Sequence, residues 1–121
     1  MILGHAQPLL LAAVLLGVAC SSVTQVERVI IVNETEYPAD VSVGGGGDGW
    51  VNLANVPTED SREIRQVIDQ GELWTFRFSY GGSDPVTLEL RRAELVEADW
   101  KVEVPRELEV RLRAKGVVSP P

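Results

Sequence analysis

Cysteine, histidine and methionine occur once each in the 121 residues, as Cys20, His5 and Met1, and none of them lies beyond Cys20. The chain downstream of Cys20 therefore has no Ser-His-Asp or Cys-His arrangement. It also lacks an imidazole acid or base and the His/Cys set that holds zinc. A single cysteine excludes an internal disulfide, and with it the inter-sheet bridge of antibody domains. Charge is absent from one region: all 29 charged residues (11 basic, 18 acidic) begin at Glu27. The net charge of −7 and pI near 4.6 argue against nucleic acid and against basic-patch docking on anionic lipid. We read the protein as a non-enzyme with no cofactor, no metal and no catalytic residues.

Long apolar runs are also scarce. The longest, "LLLAAVLLGVA" from Leu9 to Ala19, is eleven residues, whereas a membrane-spanning helix needs about 20. Extending it towards Met1 brings in His5, Gln7 and Pro8. The length suits the h-region of a secretory signal.

The run ends in Leu16-Gly17-Val18-Ala19-Cys20, which resembles the lipobox of bacterial lipoproteins. The resemblance implies a signal peptide over residues 1–19, cleavage before Cys20, and lipidation, including palmitate, at Cys20. It places the protein in a bacterial cell envelope, with the domain facing periplasm or exterior. Several acyl chains hold a protein firmly where one does not. Residues 20–25 then form the lipidated N-terminus and tether. An ordinary secretory signal and a retained membrane anchor are the other two readings.

Residues 26–113 are dense in Val, Ile, Thr, Trp and Phe and broken by Gly, Pro, Asn and Asp at short intervals. This pattern predicts an all-β domain, a single immunoglobulin-like antiparallel β-sandwich of about seven to eight strands. In "LWTFRFSY", Trp74, Phe76, Phe78 and Tyr80 share one face, the period of two that a half-buried strand requires. Further strands are expected at 26–33, 39–43, 50–53, 86–90, 100–104 and 108–112. The last of these is expected to bury Leu108, Val110 and Leu112 and to turn Glu109 and Arg111 to water. Residues 58–71 admit a helix with a Thr58 or Asp60 cap, Glu63 as capping-box partner and Gly71 as stop, but a strand over 62–68 is preferred. Residues 114–121 read as a flexible tail. The order "VIIVNETEYPADVSV … GWVNLANVP … FRFSY" also resembles small uncharacterised secreted bacterial β-domains over about 80 residues, a likeness that implies a fold and no function.

Three motifs bear on chemistry. "GGGGDG" (44–49) satisfies G-x-G-x-x-G, but the nucleotide-binding motif must open a helix, and Trp50-Val51-Asn52-Leu53 reads as a strand. A hairpin loop is the simpler reading. Glu34, Glu36, Asp40 and Asp48 are acidic, yet their spacing fits no calcium loop. Asn33-Glu34-Thr35 matches a glycosylation acceptor by chance. Trp50, Asp48 and Tyr37 are the candidate ligand or partner contacts.

The function expected is that of a membrane-anchored envelope lipoprotein with a non-catalytic interaction or accessory module, bound to the membrane through Cys20, with another envelope protein or a glycan as its partner. The rival is a glycan- or small-ligand-binding sandwich using the Gly44–Trp50 loop, with Trp50, Tyr37 and Tyr80 on a common exposed patch. A small carboxylate-dependent hydrolase would need two carboxylates converging in a cleft.

Overall fold

The computed structural model describes residues 24–46 and 49–121. The signal segment, Cys20 and Asp48 lie outside these residues. No helix among the described residues is long and apolar enough to cross a membrane.

Among the described residues, seven strands and two helices follow one another. They are β1 (Gln25–Asn33), β2 (Ala39–Gly46), β3 (Gly49–Val56), β4 (Asp60–Ile68), β5 (Leu73–Ser79) and β6 (Val86–Arg91), then α1 (Arg92–Glu97), β7 (Lys101–Glu103) and α2 (Arg106–Ala114). The strands form two sheets, ordered β4-β1-β7 and β3-β2-β5-β6. One apolar cluster joins them: Val29 and Ile31 of β1, Val41 and Val43 of β2, and Trp74, Phe76 and Phe78 of β5 are all fully or almost fully buried. The period of two read in β5 is thus met at Trp74, Phe76 and Phe78, while Tyr80 is only partly buried. Trp74 stacks on Phe76 at 6.0 Å between centroids and meets the edge of Trp100 at 5.3 Å.

The register fixes two ends of the sandwich. Gln25 pairs with Ile68, Gly46 with Gly49 and Leu73 with Arg91, so the start of β1, the β2–β3 hairpin and the β4–β5 connection share one end. This is the N-terminal end. The turns after β1, β3 and β5 lie at the other, where α2 covers the core with Leu108 and Leu112.

Residues 60–68 are a strand, paired antiparallel with β1 from Gln25–Ile68 to Asn33–Asp60 with a break at Glu27 and Gln66, and the helical alternative is not realised. Two expectations are corrected. The sheet of β1 is not purely antiparallel, because β7 runs parallel to β1 (Ile31 opposite Val102). A parallel neighbour needs a crossover connection, and α1 supplies one between β6 and β7. The expected strand at 108–112 is instead the core of α2. Leu108 and Leu112 are four apart, so strand and helix periods both put them on one face; the two periods disagree at position 110. Val110 is 65% exposed and Glu109 is buried, the reverse of the strand reading. Arg111 bonds Glu107 at 2.7 Å and Arg113 bonds Glu109 at 2.8 Å, both at i,i+4 spacing that only a helix brings together. Pro105, with φ −62°, stands at the N-cap.

The expected tail is tied down as far as Val117. Its carbonyl accepts a 2.6 Å hydrogen bond from the Tyr37 hydroxyl, and its side chain packs against the core.

Candidate binding face and apolar cleft

The outward side of the four-stranded sheet is where the polar residues of β2, β3 and β5 converge. Alternation sends Val41, Val43, Phe76 and Phe78 inward, so Asp40, Ser42, Arg77 and Ser79 point outward in paired rows. Ser42 lies opposite both Asn52 and Arg77, and its hydroxyl donates to the Asn52 side-chain oxygen at 3.0 Å. Asn55 donates through Nδ2 to Asp40 Oδ1 at 2.8 Å. These side chains, with Leu53, Ala54, Ser83 and Pro85, line an open hollow of about 620 Å³. A register shift between Val41 and Ser42 in the β2–β3 ladder marks a bulge within it.

Trp50 stands at the N-terminal edge of this face, opposite Gly44. It is half-buried. The Arg77 guanidinium lies 4.3 Å from the ring centroid, a cation–π contact that covers part of the indole. A Cβ at Gly45 would come within 2.8 Å of the ring, and Gly45 has φ +86°, so glycine here both permits the backbone and makes room for the indole. At Gly44 (φ +133°) a Cβ would collide with the Gly49 carbonyl oxygen. The G-x-G-x-x-G match is therefore a hairpin that opens a strand, Gly49–Val56, and not a helix.

Tyr37 sits elsewhere. It is 1% exposed, its ring packs against Tyr80 at 5.6 Å, and its hydroxyl is committed to Val117. It presents no surface to a ligand, and the common exposed patch of Trp50, Tyr37 and Tyr80 does not form. Asp48 lies outside the described residues.

Among the described residues no group of three or more acidic, histidine or cysteine side chains is placed to hold a metal ion. Glu36 is paired with Arg113, and Asp40 with Asn55. Asn33 is fully buried: its Nδ2 donates to the Tyr37 carbonyl at 2.8 Å and to the Val56 carbonyl at 3.0 Å. Its Oδ1 accepts from the Thr35 backbone N–H at 2.9 Å and the Thr35 hydroxyl at 2.7 Å. The acceptor-like Asn-Glu-Thr is a structural knot.

A second hollow, of about 640 Å³, escaped the sequence reading. It opens where β6 and β7, the edge strands of the two sheets, are not paired to each other. Leu88 and Leu90 form one wall, Leu95 of α1 and Val102 and Val104 the other, with Glu34, Glu94, Lys101 and Arg106 at the rim. Alternation along 86–90 turns Val86, Leu88 and Leu90 to one face, yet Leu88 and Leu90 are only half-buried, a trace of the cleft in the strand pattern. No protein-family model, no curated protein and no solved structure matches the chain.

Proposed function

We propose that the protein is a lipid-anchored component of a bacterial cell envelope, and that its domain is an immunoglobulin-like sandwich acting as a non-catalytic interaction module. The observation that carries this reading is the junction between anchor and fold. β1 opens at Gln25, five positions after Cys20, so a lipobox-like cysteine abuts a compact two-sheet domain almost without a spacer. The seven strands in two facing sheets support the immunoglobulin-like reading, while the parallel β1–β7 pair and α2 are departures from the simplest form of it. The interaction surface is the polar face built on Asp40, Asn52, Asn55 and Arg77 over the buried Ser42, with donors and acceptors along three adjacent strands.

Substituting Cys20→Ser tests the anchor. The native protein incorporates a palmitate analogue and stays with membranes after a salt wash; the variant loses both and keeps its β-type circular dichroism. A variant that still fractionates with membranes refutes the lipid anchor.

Glycan binding is the second reading, favoured by Trp50 bordering a hydrogen-bonding row. On a glycan array it requires retention that Trp50→Ala abolishes without loss of stability.

A further inference from the structure

The large exposed apolar side chains are not scattered evenly. Among the described residues there are six, and three of them, Val51 (45%), Ile68 (49%) and Leu73 (52%), belong to the N-terminal end of the sandwich. Ile68 pairs with Gln25 at the mouth of β1, and Leu73 opens β5 opposite Arg91. Val51 is opposite Val43, next to Trp50. The chain enters at this same end: the Thr24 carbonyl accepts a 3.1 Å hydrogen bond from the Asp69 backbone N–H. The tether from Cys20 to Gln25 reaches at most about 18 Å at 3.3–3.6 Å per residue. Strands of eight or nine residues make the sandwich roughly 28 Å long, so its other end stands well away from the anchor point.

We propose, resting on the lipid-anchor reading, that this end docks on the bilayer that holds Cys20. Trp50, Val51, Ile68 and Leu73 enter the headgroup–acyl boundary, where tryptophan and aliphatic side chains are favourably placed. Apolar insertion drives the contact and no basic patch is required. The short tether holds these side chains at a high local concentration over the lipid, so a rim too small to bind membranes alone suffices once anchored. The polar face of the four-stranded sheet then stands along the membrane normal, open to partners.

The test uses the full lipidated chain in phosphatidylethanolamine–phosphatidylglycerol vesicles, with and without lipids brominated near the top of the acyl chain. Flotation reads the anchor and tryptophan quenching reads the docking. Trp74 is fully buried and Trp100 is partly so, and the difference between the native chain and Trp50→Phe isolates Trp50. The expected result is quenching that Trp50→Phe removes and that the double variant Ile68→Ser, Leu73→Ser reduces about twofold or more. Flotation without quenching of Trp50 overturns the docking and leaves the anchor standing. Quenching unchanged in the double variant overturns the role of the rim, and failure to float refutes the anchor and the docking together.

Discussion

Asn33 shows how much one polar side chain organises when it is buried. Its amide closes the turn after β1, holds the Tyr37 and Val56 carbonyls, and orders Thr35, so it connects three segments that no apolar contact of that size would fix. Two carbonyls, one N–H and one hydroxyl depend on it, and no buried side-chain nitrogen or oxygen among the described residues lacks a partner. Asn33→Ala should therefore cost more than one net hydrogen bond, about 2–4 kcal/mol, because carbonyls are left desolvated and unpaired. Urea denaturation checks this. A loss below about 1 kcal/mol would mean that water replaces the amide. Asn33→Asp is the sharper comparison: it keeps the acceptor for Thr35, removes the donors to both carbonyls and should destabilise at neutral pH.

At the scale of elements, α2 and β4 are decided by opposite considerations. The stretch 58–71 carries helix signals, yet β1 is an apolar strand needing a partner, and pairing from Gln25 to Asn33, broken only at Glu27, outweighs a thin amphipathic stripe. Gln66 takes a positive φ of 57° within that ladder, a local distortion that pairing on both sides sustains. In "RELEVRLRA" the residues are good helix formers with two i,i+4 ion pairs, and the site to be covered is the end of the core, where a helix lays Leu108 and Leu112 over it. Val110→Ser should then change stability by less than about 0.5 kcal/mol, whereas Leu112→Ala should cost about 2–5 kcal/mol. Thermal denaturation of the two variants separates helix from strand: a strand would make both costly.

The whole molecule is closed differently at its two ends. Remote from the tether, Tyr37 holds Val117, Arg113 meets Glu36 and Lys115 meets Asp84 at 2.9 Å, so α2 is fastened by its last turn and the residues after it. At the N-terminal end, Arg92 at the start of α1 bonds Asp69 of the β4–β5 connection, tying the two sheets together. Hydrogen bonding from Arg92, helped by the Gly71 N–H, holds the Asp69 carboxyl below its ordinary value against the opposing effect of partial burial. A depressed folded-state pKa stabilises above the unfolded value of about 3.9 and is lost as pH falls through the folded one. The stability difference between native protein and Arg92→Ala should thus be constant from neutral pH to about 5 and shrink below about 4. Urea titrations at several pH values measure it; a difference independent of pH would mean that Arg92 acts through its contact with Trp100, 5.4 Å from the ring centroid, and not through Asp69. The Ser61 backbone N–H and, after it, Arg62 also lower the Asp60 carboxyl, but this pair lies at the surface and contributes little.

What the sequence determined by itself is whatever follows from residues next to one another. Alternation put Trp74, Phe76 and Phe78 on one buried face, glycines marked the β2–β3 hairpin, and composition set the uncharged residues 1–26 apart from the charged stretch that follows. Local order could not decide between periods that coincide. Leu108 and Leu112 satisfy both strand and helix, and only the uncovered end of the core chose. Tyr37 stood among the candidate contacts because nothing nearby announces that Val117, 80 residues on, completes its hydrogen bond. The polar face, the cleft between β6 and β7 and the apolar rim beside Thr24 are likewise products of strand order, which brings together residues from distant parts of the chain. Side-chain chemistry is written in the sequence; which side chains share a surface is set by pairing and by the ends that pairing leaves open.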